Sequence, residues 1–189
     1  PHLASSAASD VYKRQVGIPL PGIEIRIVNE EGKEVEVGQI GTIELKGENI
    51  FKGYWGMEEK TKESFKDDGF FITGDLAKKD ENGYFTIVGR DKDMIISGGL
   101  NVYPKEIEDV INELPNITES AVFGVQHDDF GEAVVAAVVT TDDKNDGSQI
   151  LDYTKDKIAK YKQPKKILFM SNLPRNSMGK VQKNKLREN

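Results

Sequence analysis

A carboxylate beside a glycine, a guanidinium closing an apolar run, and a lysine after a glycine near the C-terminus are the side chains that could do chemistry here. The carboxylate is Asp75, in Thr73-Gly74-Asp75-Leu76. It can accept two hydrogen bonds at once, which suits the paired hydroxyls of a ribose. The same tetrapeptide also serves as an ordinary turn. Arg90 follows Gly89. Its donors form a fixed fork that matches sugar and phosphate oxygens, or a surface ion pair. Lys180 ends Pro174-Arg175-Asn176-Ser177-Met178-Gly179-Lys180. A lysine on such a loop can reach a phosphate as a point charge, or simply rest in solvent. Ser97-Gly98-Gly99 is a fourth candidate. A glycine pair makes a tight loop and lets a ligand approach the backbone closely.

The elements that must carry these residues fall into two differently patterned halves. From Val16 to Gly89 the sequence reads as short strands and turns. Ile23, Ile25 and Ile27 alternate with Glu24 and Arg26, the period of a half-buried strand. Thr42 to Lys46 alternates again. Met57 to Phe65 reads as a short polar helix with Glu58 and Lys62 at i, i+4. Asn82-Gly83, between Leu76–Lys79 and Tyr84–Val88, predicts a hairpin, and Asp75 then sits at the start of a strand. Gly53-Tyr54-Trp55 reads as structural, an aromatic cluster of the core.

Asp91-Lys92-Asp93 is a charged link. Beyond it, Met94 to Ile96 is a short strand that runs through the glycine pair to a helix start. Pro104 suits a first helical turn, and Ile107, Val110, Ile111 and Leu114 form one apolar face. Ser120 to Val125 predicts a strand, Gly131-Glu132 a turn, and Ala133 to Thr140 a buried strand. Asp142 to Gly147 is a loop, Ile150 to Tyr161 a helix ended before Pro164, and Lys165 to Met170 a last strand. Val181 to Arg187 is a short final element. The expected fold class is α+β: a β-rich subdomain, then a small α+β domain of about 100 residues.

Composition bounds the function. The chain has 189 residues, no cysteine and two histidines. It therefore offers no disulfide, thiolate nucleophile or cysteine metal site, which fits a reducing compartment such as the cytoplasm. His127 is assigned no catalytic role, and no residue is assigned to a metal. No apolar run approaches the ~20 residues needed to span a membrane. Residues 155–189 hold eleven Lys or Arg against two acids, a charge of +9, which leaves −15 for residues 1–154. A basic tail on an acidic body is a candidate polyanion contact or a solvated face. No aromatic residues interleave with it in the way that stacking on nucleic acid requires, so a nucleic-acid partner is not expected.

Taken together, Ser97-Gly98-Gly99-Leu100-Asn101-Val102-Tyr103-Pro104-Lys105-Glu106-Ile107-Glu108 resembles the hinge motif of the adenylate-forming enzymes. That superfamily comprises acyl-CoA synthetases, peptide-synthetase adenylation domains and luciferases. The wording is closest to the acyl-CoA synthetase branch, and within it to the malonyl-CoA synthetases. The resemblance runs from Val16 to the end. Residues 1–15 do not share it and read as a disordered tail or a translated linker. The resemblance implies a domain plan. Residues 16–90 would be the last β-rich subdomain of the large AMP-binding domain, and residues 91–189 the mobile C-terminal domain. It also implies roles: Asp75 on the ribose hydroxyls of ATP, Arg90 as a second nucleotide contact, and Lys92 as the hinge. Lys180 would be the catalytic lysine of adenylation, also touching ATP, and Ser97, Gly98 and Gly99 would line the CoA channel. Met178 departs from the small or hydroxyl residue more usual in that loop.

The phosphate loop, the motif that contacts adenine and magnesium, and the acyl pocket of the family are not in this sequence. The chain therefore reads as a C-terminal fragment that lacks the N-terminal part of its own large domain and is inactive alone. The implied parent is an acid-thiol ligase using ATP, Mg2+ and CoA on a carboxylic acid such as malonate or a fatty acid. The alternatives are an adenylation domain loading a carrier protein, or a binding module without activity.

Overall fold

The computed structural model describes residues 15–141 and 147–188. Most of the 1–15 tail and of the 142–147 loop lies outside them. The chain divides between Asp91 and Lys92 into two compact units.

The first unit is a five-stranded antiparallel sheet in the order β1-β5-β4-β3-β2. Its strands are β1 (Gln15–Gly17), β2 (Ile23–Val28), β3 (Gly41–Gly47), β4 (Phe71–Lys79) and β5 (Phe85–Arg90). Alternation in β2 and β3 sends Ile27 and Ile43 into one core with Ala77 and Phe85. The other side of β2 and β3 carries charge. Glu44 is almost fully buried, and its carboxylate accepts a 2.7 Å hydrogen bond from Arg26 Nε. Arg26 also bonds Asp68 at 2.6 Å, and its guanidinium lies 3.8 Å from the Phe70 ring centre. The hydrogen bond from Arg26 holds the exposed Asp68 carboxyl below its usual range, against a smaller opposing effect of desolvation.

Four expectations change here. Gln15 is the first residue of β1 and pairs with Thr86, so the tail stops short of it. Asp75 lies inside β4, not at its start, because apolar pairing with β3 continues back to Phe71. The β4–β5 pairing closes at Lys79–Phe85, leaving five loop residues, one more than the four between the expected strands, because Tyr84 stays in the loop. Asp80 explains it: its side chain accepts the Asn82 and Tyr84 N–H groups, each at 2.9 Å, and so caps a wider loop. Finally, Gly53-Tyr54-Trp55 is not core. Tyr54 packs edge-on against Phe51, but Trp55 is 100% exposed. The helix α1 (Glu58–Ser64) forms as expected.

The second unit is built on the long hairpin of β8 (Ile117–His127) and β9 (Gly131–Thr140). β9 takes β8 along one edge. Its other edge takes β10 (Lys166–Phe169), parallel to Val135–Val138, and β6 (Ile95–Ser97) at Gly131. β7 (Leu100–Val102) adds to β6. Both faces of the hairpin are covered, which is why residues 133–138 read as a continuous apolar run. Val122, Val134, Ala136 and Val138 meet Ile107 and Ile111 of α2 (Pro104–Ile111) and Ile150 of α3 (Ser148–Lys155). Ala121, Phe123, Val135 and Ala137 meet Leu173 and, from α4 (Lys183–Arg187), Leu186. Each fully buried isoleucine of α2 contributes about 1.5–3 kcal/mol.

Here too the sequence expectation needs correction. The glycine pair joins two strands, β6 and β7, and does not lead directly to the helix. Gly131-Glu132 belongs to β9, because the pairing with His127 and Gln126 continues to the end of β8. The predicted Ile150–Tyr161 helix starts at Ser148 and ends at Lys155, and a separate 3-10 turn spans Lys160–Lys162. Ala159 between them is extended (ψ 147°), so the apolar spacing of Ile158 and Tyr161 does not come from one helix.

Candidate functional site

Two of the predicted residues meet in the first unit. Asp75 and Arg90 are direct cross-strand partners on β4 and β5. Arg90 Nε lies 2.7 Å from Asp75 Oδ1, with both side chains partly exposed. Asp75 is aimed by a β-bulge. The register between β3 and β4 slips between Thr42 and Glu44, opposite residues 73–75. Gly74 takes φ +72°, open to glycine at no steric cost. The Thr73 hydroxyl pins the bulge, donating to the Ile43 carbonyl at 2.8 Å and accepting the Asp75 N–H at 3.0 Å. Together these present a carboxylate and a guanidinium at one sheet surface, a pair able to grip hydroxyls and an anion. Half-exposed ion pairs of this kind add only about 0–1 kcal/mol to stability.

The remaining candidates lie in the second unit. Lys92 sits in a 3-10 turn, Asp91–Asp93, at the division between the units. Ser97-Gly98-Gly99-Leu100 is a two-residue hairpin turn with φ +60° and +77° at the glycines. Positive φ at both central residues matches the twist of the flanking strands. The Gly98 N–H donates to the Phe130 carbonyl at 2.9 Å, and Ser97 is buried. Lys180 is exposed on a narrow loop closed by the Arg175–Val181 bridge. Asn176 organises that loop: its side chain accepts the Met178 and Lys180 N–H groups at 3.0 and 2.9 Å. Arg175 donates to the Gly179 carbonyl at 2.6 Å and pairs with Glu119. Lys180 itself has no ion-pair partner among the described residues.

Glu119 lies near the start of β8, and His127, beside the glycine turn, at its end. They are eight residue steps apart along the strand, about 26 Å at the usual rise. The lysine loop and the glycine turn therefore sit at opposite ends of one hairpin. An open surface hollow lined by Gly56, Met57, Glu58, Glu59 and Lys60 contains none of the candidates.

The model of the AMP-binding enzyme family matches residues 2–55, and that of the AMP-binding enzyme C-terminal domain matches residues 106–180. The chain belongs to the AMP-binding, adenylate-forming enzyme family. The first match takes in most of the segment before Val16 that the sequence reading set apart. Indoleacetate–CoA ligase of Aromatoleum aromaticum is 40% identical, aligned over 91% of this chain and 34% of its own length. Malonate–CoA ligase of Arabidopsis thaliana is 39% identical, over 92% and 30%. The crystal structure of ATP-bound MatB from Rhodopseudomonas palustris is 57% identical, with a TM-score of 0.86 over 92% of this chain and 35% of that one. The chain thus spans about a third of the length of the relatives it matches.

Several polar anchors escaped the sequence reading. They are Asn176, Arg175 with Glu119, and Glu108, which meets Lys183 at 2.7 Å. Asn176 alone left a local trace, the Asn-x-x-Gly turn pattern; the others pair residues distant in sequence. Among the described residues, no group of three or more His, Asp or Glu is placed to hold a metal ion. No helix of the described residues is long and apolar enough to cross a membrane.

Proposed function

We propose that this chain is the C-terminal portion of an AMP-forming acid–CoA ligase, a cytoplasmic acid-thiol ligase that uses one small domain for two successive steps. In the first, a carboxylate oxygen attacks the α-phosphorus of ATP. The bond to pyrophosphate breaks, and an acyl-adenylate forms. Asp75 binds the ribose hydroxyls, and Arg90 holds sugar and phosphate oxygens. Lys180 stabilises the negative charge that develops on the α-phosphate and the attacking carboxylate. In the second step, the CoA sulfur attacks the acyl carbon, the bond to AMP breaks, and the thiol proton passes to solvent. Gly98 and Gly99 let the thiol arm approach along backbone without side chains in the way, and Ser97, buried, opens the turn that presents them. Lys92 is the joint about which the domain turns between the steps.

The observation that carries this reading is the separation of the two candidate ends along β8. A lysine side chain reaches only about 6 Å, against about 26 Å of strand. Lys180 and the glycine turn therefore cannot serve one site at once, and a domain bearing both must present them in turn. The small stability contribution of Asp75–Arg90 agrees with a pair kept for binding. The acid, with malonate and fatty acids as the candidates, is selected outside these residues.

The test uses a protein of the relatives' full length carrying this chain. Lys180→Ala should slow pyrophosphate release by roughly 10²–10³. Thioester formation from supplied acyl-adenylate should remain near wild type. Equal loss of both half-reactions would overturn the division of labour. The 189-residue chain alone should release no pyrophosphate.

A further inference from the structure

Beyond the core packing of Ile95 and Val102 on its flanking strands, the Ser97–Leu100 turn is tied to the rest of the second unit by few hydrogen bonds. β6 pairs with β9 at one position, Ser97–Gly131, and the Gly98 N–H reaches the Phe130 carbonyl. Both ties are backbone and survive any side-chain change. The third is not. The Ile96 N–H donates at 2.8 Å to Oε2 of Glu132, a residue of β9. A carboxylate here supplies the acceptor that a longer ladder would have supplied from the main chain.

A second observation bears on the same carboxylate. Gly124 on β8 is buried and its φ is not in the left-handed region, so backbone conformation does not call for glycine there. Space does. A Cβ on Gly124 would lie 2.5 Å from Glu132 Oε1 and 2.8 Å from its Cδ. Glu132 is paired with Gln126, two residues further along β8. Its carboxylate therefore sits against Gly124 through Oε1 while Oε2 holds the Ile96 N–H of β6. Two residues distant in sequence jointly make one tether to the glycine turn.

We propose that Glu132 is a positioning residue for the thioester-forming step: it fixes the Ser97-Gly98-Gly99 turn by holding the Ile96 amide, and Gly124 makes room for it to do so. This rests on the ligase reading above. Glu132 touches no reacting atom; it acts through the register of β6.

The experiment compares Glu132→Ala, Glu132→Gln and Gly124→Ala in a protein of the relatives' full length. Amide exchange at Ile96, the KM for CoA and pyrophosphate release are measured in each. Glu132→Ala should speed exchange at Ile96 about tenfold or more, the scale of one hydrogen bond to a charged group. It should raise the KM for CoA by a similar factor and leave pyrophosphate release within about twofold. Glu132→Gln keeps an acceptor oxygen and should stay within about threefold of wild type throughout. Gly124→Ala keeps the carboxylate but evicts it, and should reproduce Glu132→Ala. Protection of the Val134–Val138 amides reports that the unit stays folded. Unchanged Ile96 exchange in Glu132→Ala, or equal loss of both half-reactions, overturns the proposal for Glu132 alone. A wild-type protein that forms no thioester overturns the ligase reading and this role with it.

Discussion

Replacing Glu108 with alanine should destabilise the second unit by about 2–3 kcal/mol, and the structure says how that total divides. Glu108 Oε1 accepts two bonds, from the Val122 N–H at 3.0 Å and from Lys183 Nζ at 2.7 Å. Val122 is fully buried, and its N–H donates to the Glu108 carboxylate. Losing that acceptor strands a buried donor, at a cost of about 1–3 kcal/mol. Lys183 is different. Its side chain is 16% exposed, so the freed ammonium can bend to water, and its loss is worth about 1 kcal/mol or less. Glu108→Gln keeps the bond to Val122 and should cost only about 1 kcal/mol, and Lys183→Met less still. For a unit of about 100 residues, Glu108→Ala should lower Tm by about 10–20 °C. The one tryptophan, Trp55, lies in the first unit and is fully exposed. Unfolding is therefore better followed through amide exchange of Val134 to Val138 in urea. A loss below about 0.5 kcal/mol in Glu108→Ala would refute the burial argument. Glu108→Gln as damaging as Glu108→Ala would show that the charge, and not the Val122 amide, carries the effect.

Two further outcomes follow. Proline at position 92 fixes φ near −65° and pushes Asp91 out of the helical region, replacing the 3-10 turn with one rigid joint. In the full-length protein, Lys92→Pro should leave ATP–pyrophosphate exchange near wild type and severely reduce thioester formation; unaltered turnover would sink the rotation model. The carboxyl of Asp68 is held below its unfolded value, so its stabilising effect is complete above pH ~4 and is lost as pH falls through the folded pKa. The gap in urea midpoint between wild type and Asp68→Asn should close as pH drops from 5 to 2, and a constant gap would count against the Arg26 pairing.

Most of the fold was legible because burial follows strand and helix periods. Ile23, Ile25 and Ile27 marked β2, and the run 133–140 marked β9. What escaped depended on a partner far along the chain. β1 is three residues that only β5 stabilises, and β7 is hidden behind a glycine pair that reads as a loop. The Asp80 cap holds Tyr84 in the β4–β5 loop, so the second strand starts one residue later than its apolar run suggested. At the candidate site, the motifs pointed to Asp75, Arg90 and Lys180, and Asp75 with Arg90 turned out to be register partners. The groups that tie distant segments together, Glu119, Glu132 and Glu108, could not be picked from a sequence with 32 acidic residues. Each is set apart only by the cross-chain bond it makes.

The order in which the second unit is made has its own consequence. A three-residue loop closes the β8–β9 hairpin, so that pairing needs little chain entropy and can form early. The buried cover of the face of Ala121, Phe123, Val135 and Ala137, Leu173 and Leu186, arrives roughly 35 to 50 residues later. A ribosome that stops before residue 173 therefore releases a paired hairpin with one apolar face bare. Such a product is prone to aggregate or to be degraded. The segment that brings Lys180 is also the lid of that face. Quality control that recognises the bare sheet would thus remove chains lacking the lysine, with no need to sense the lysine itself.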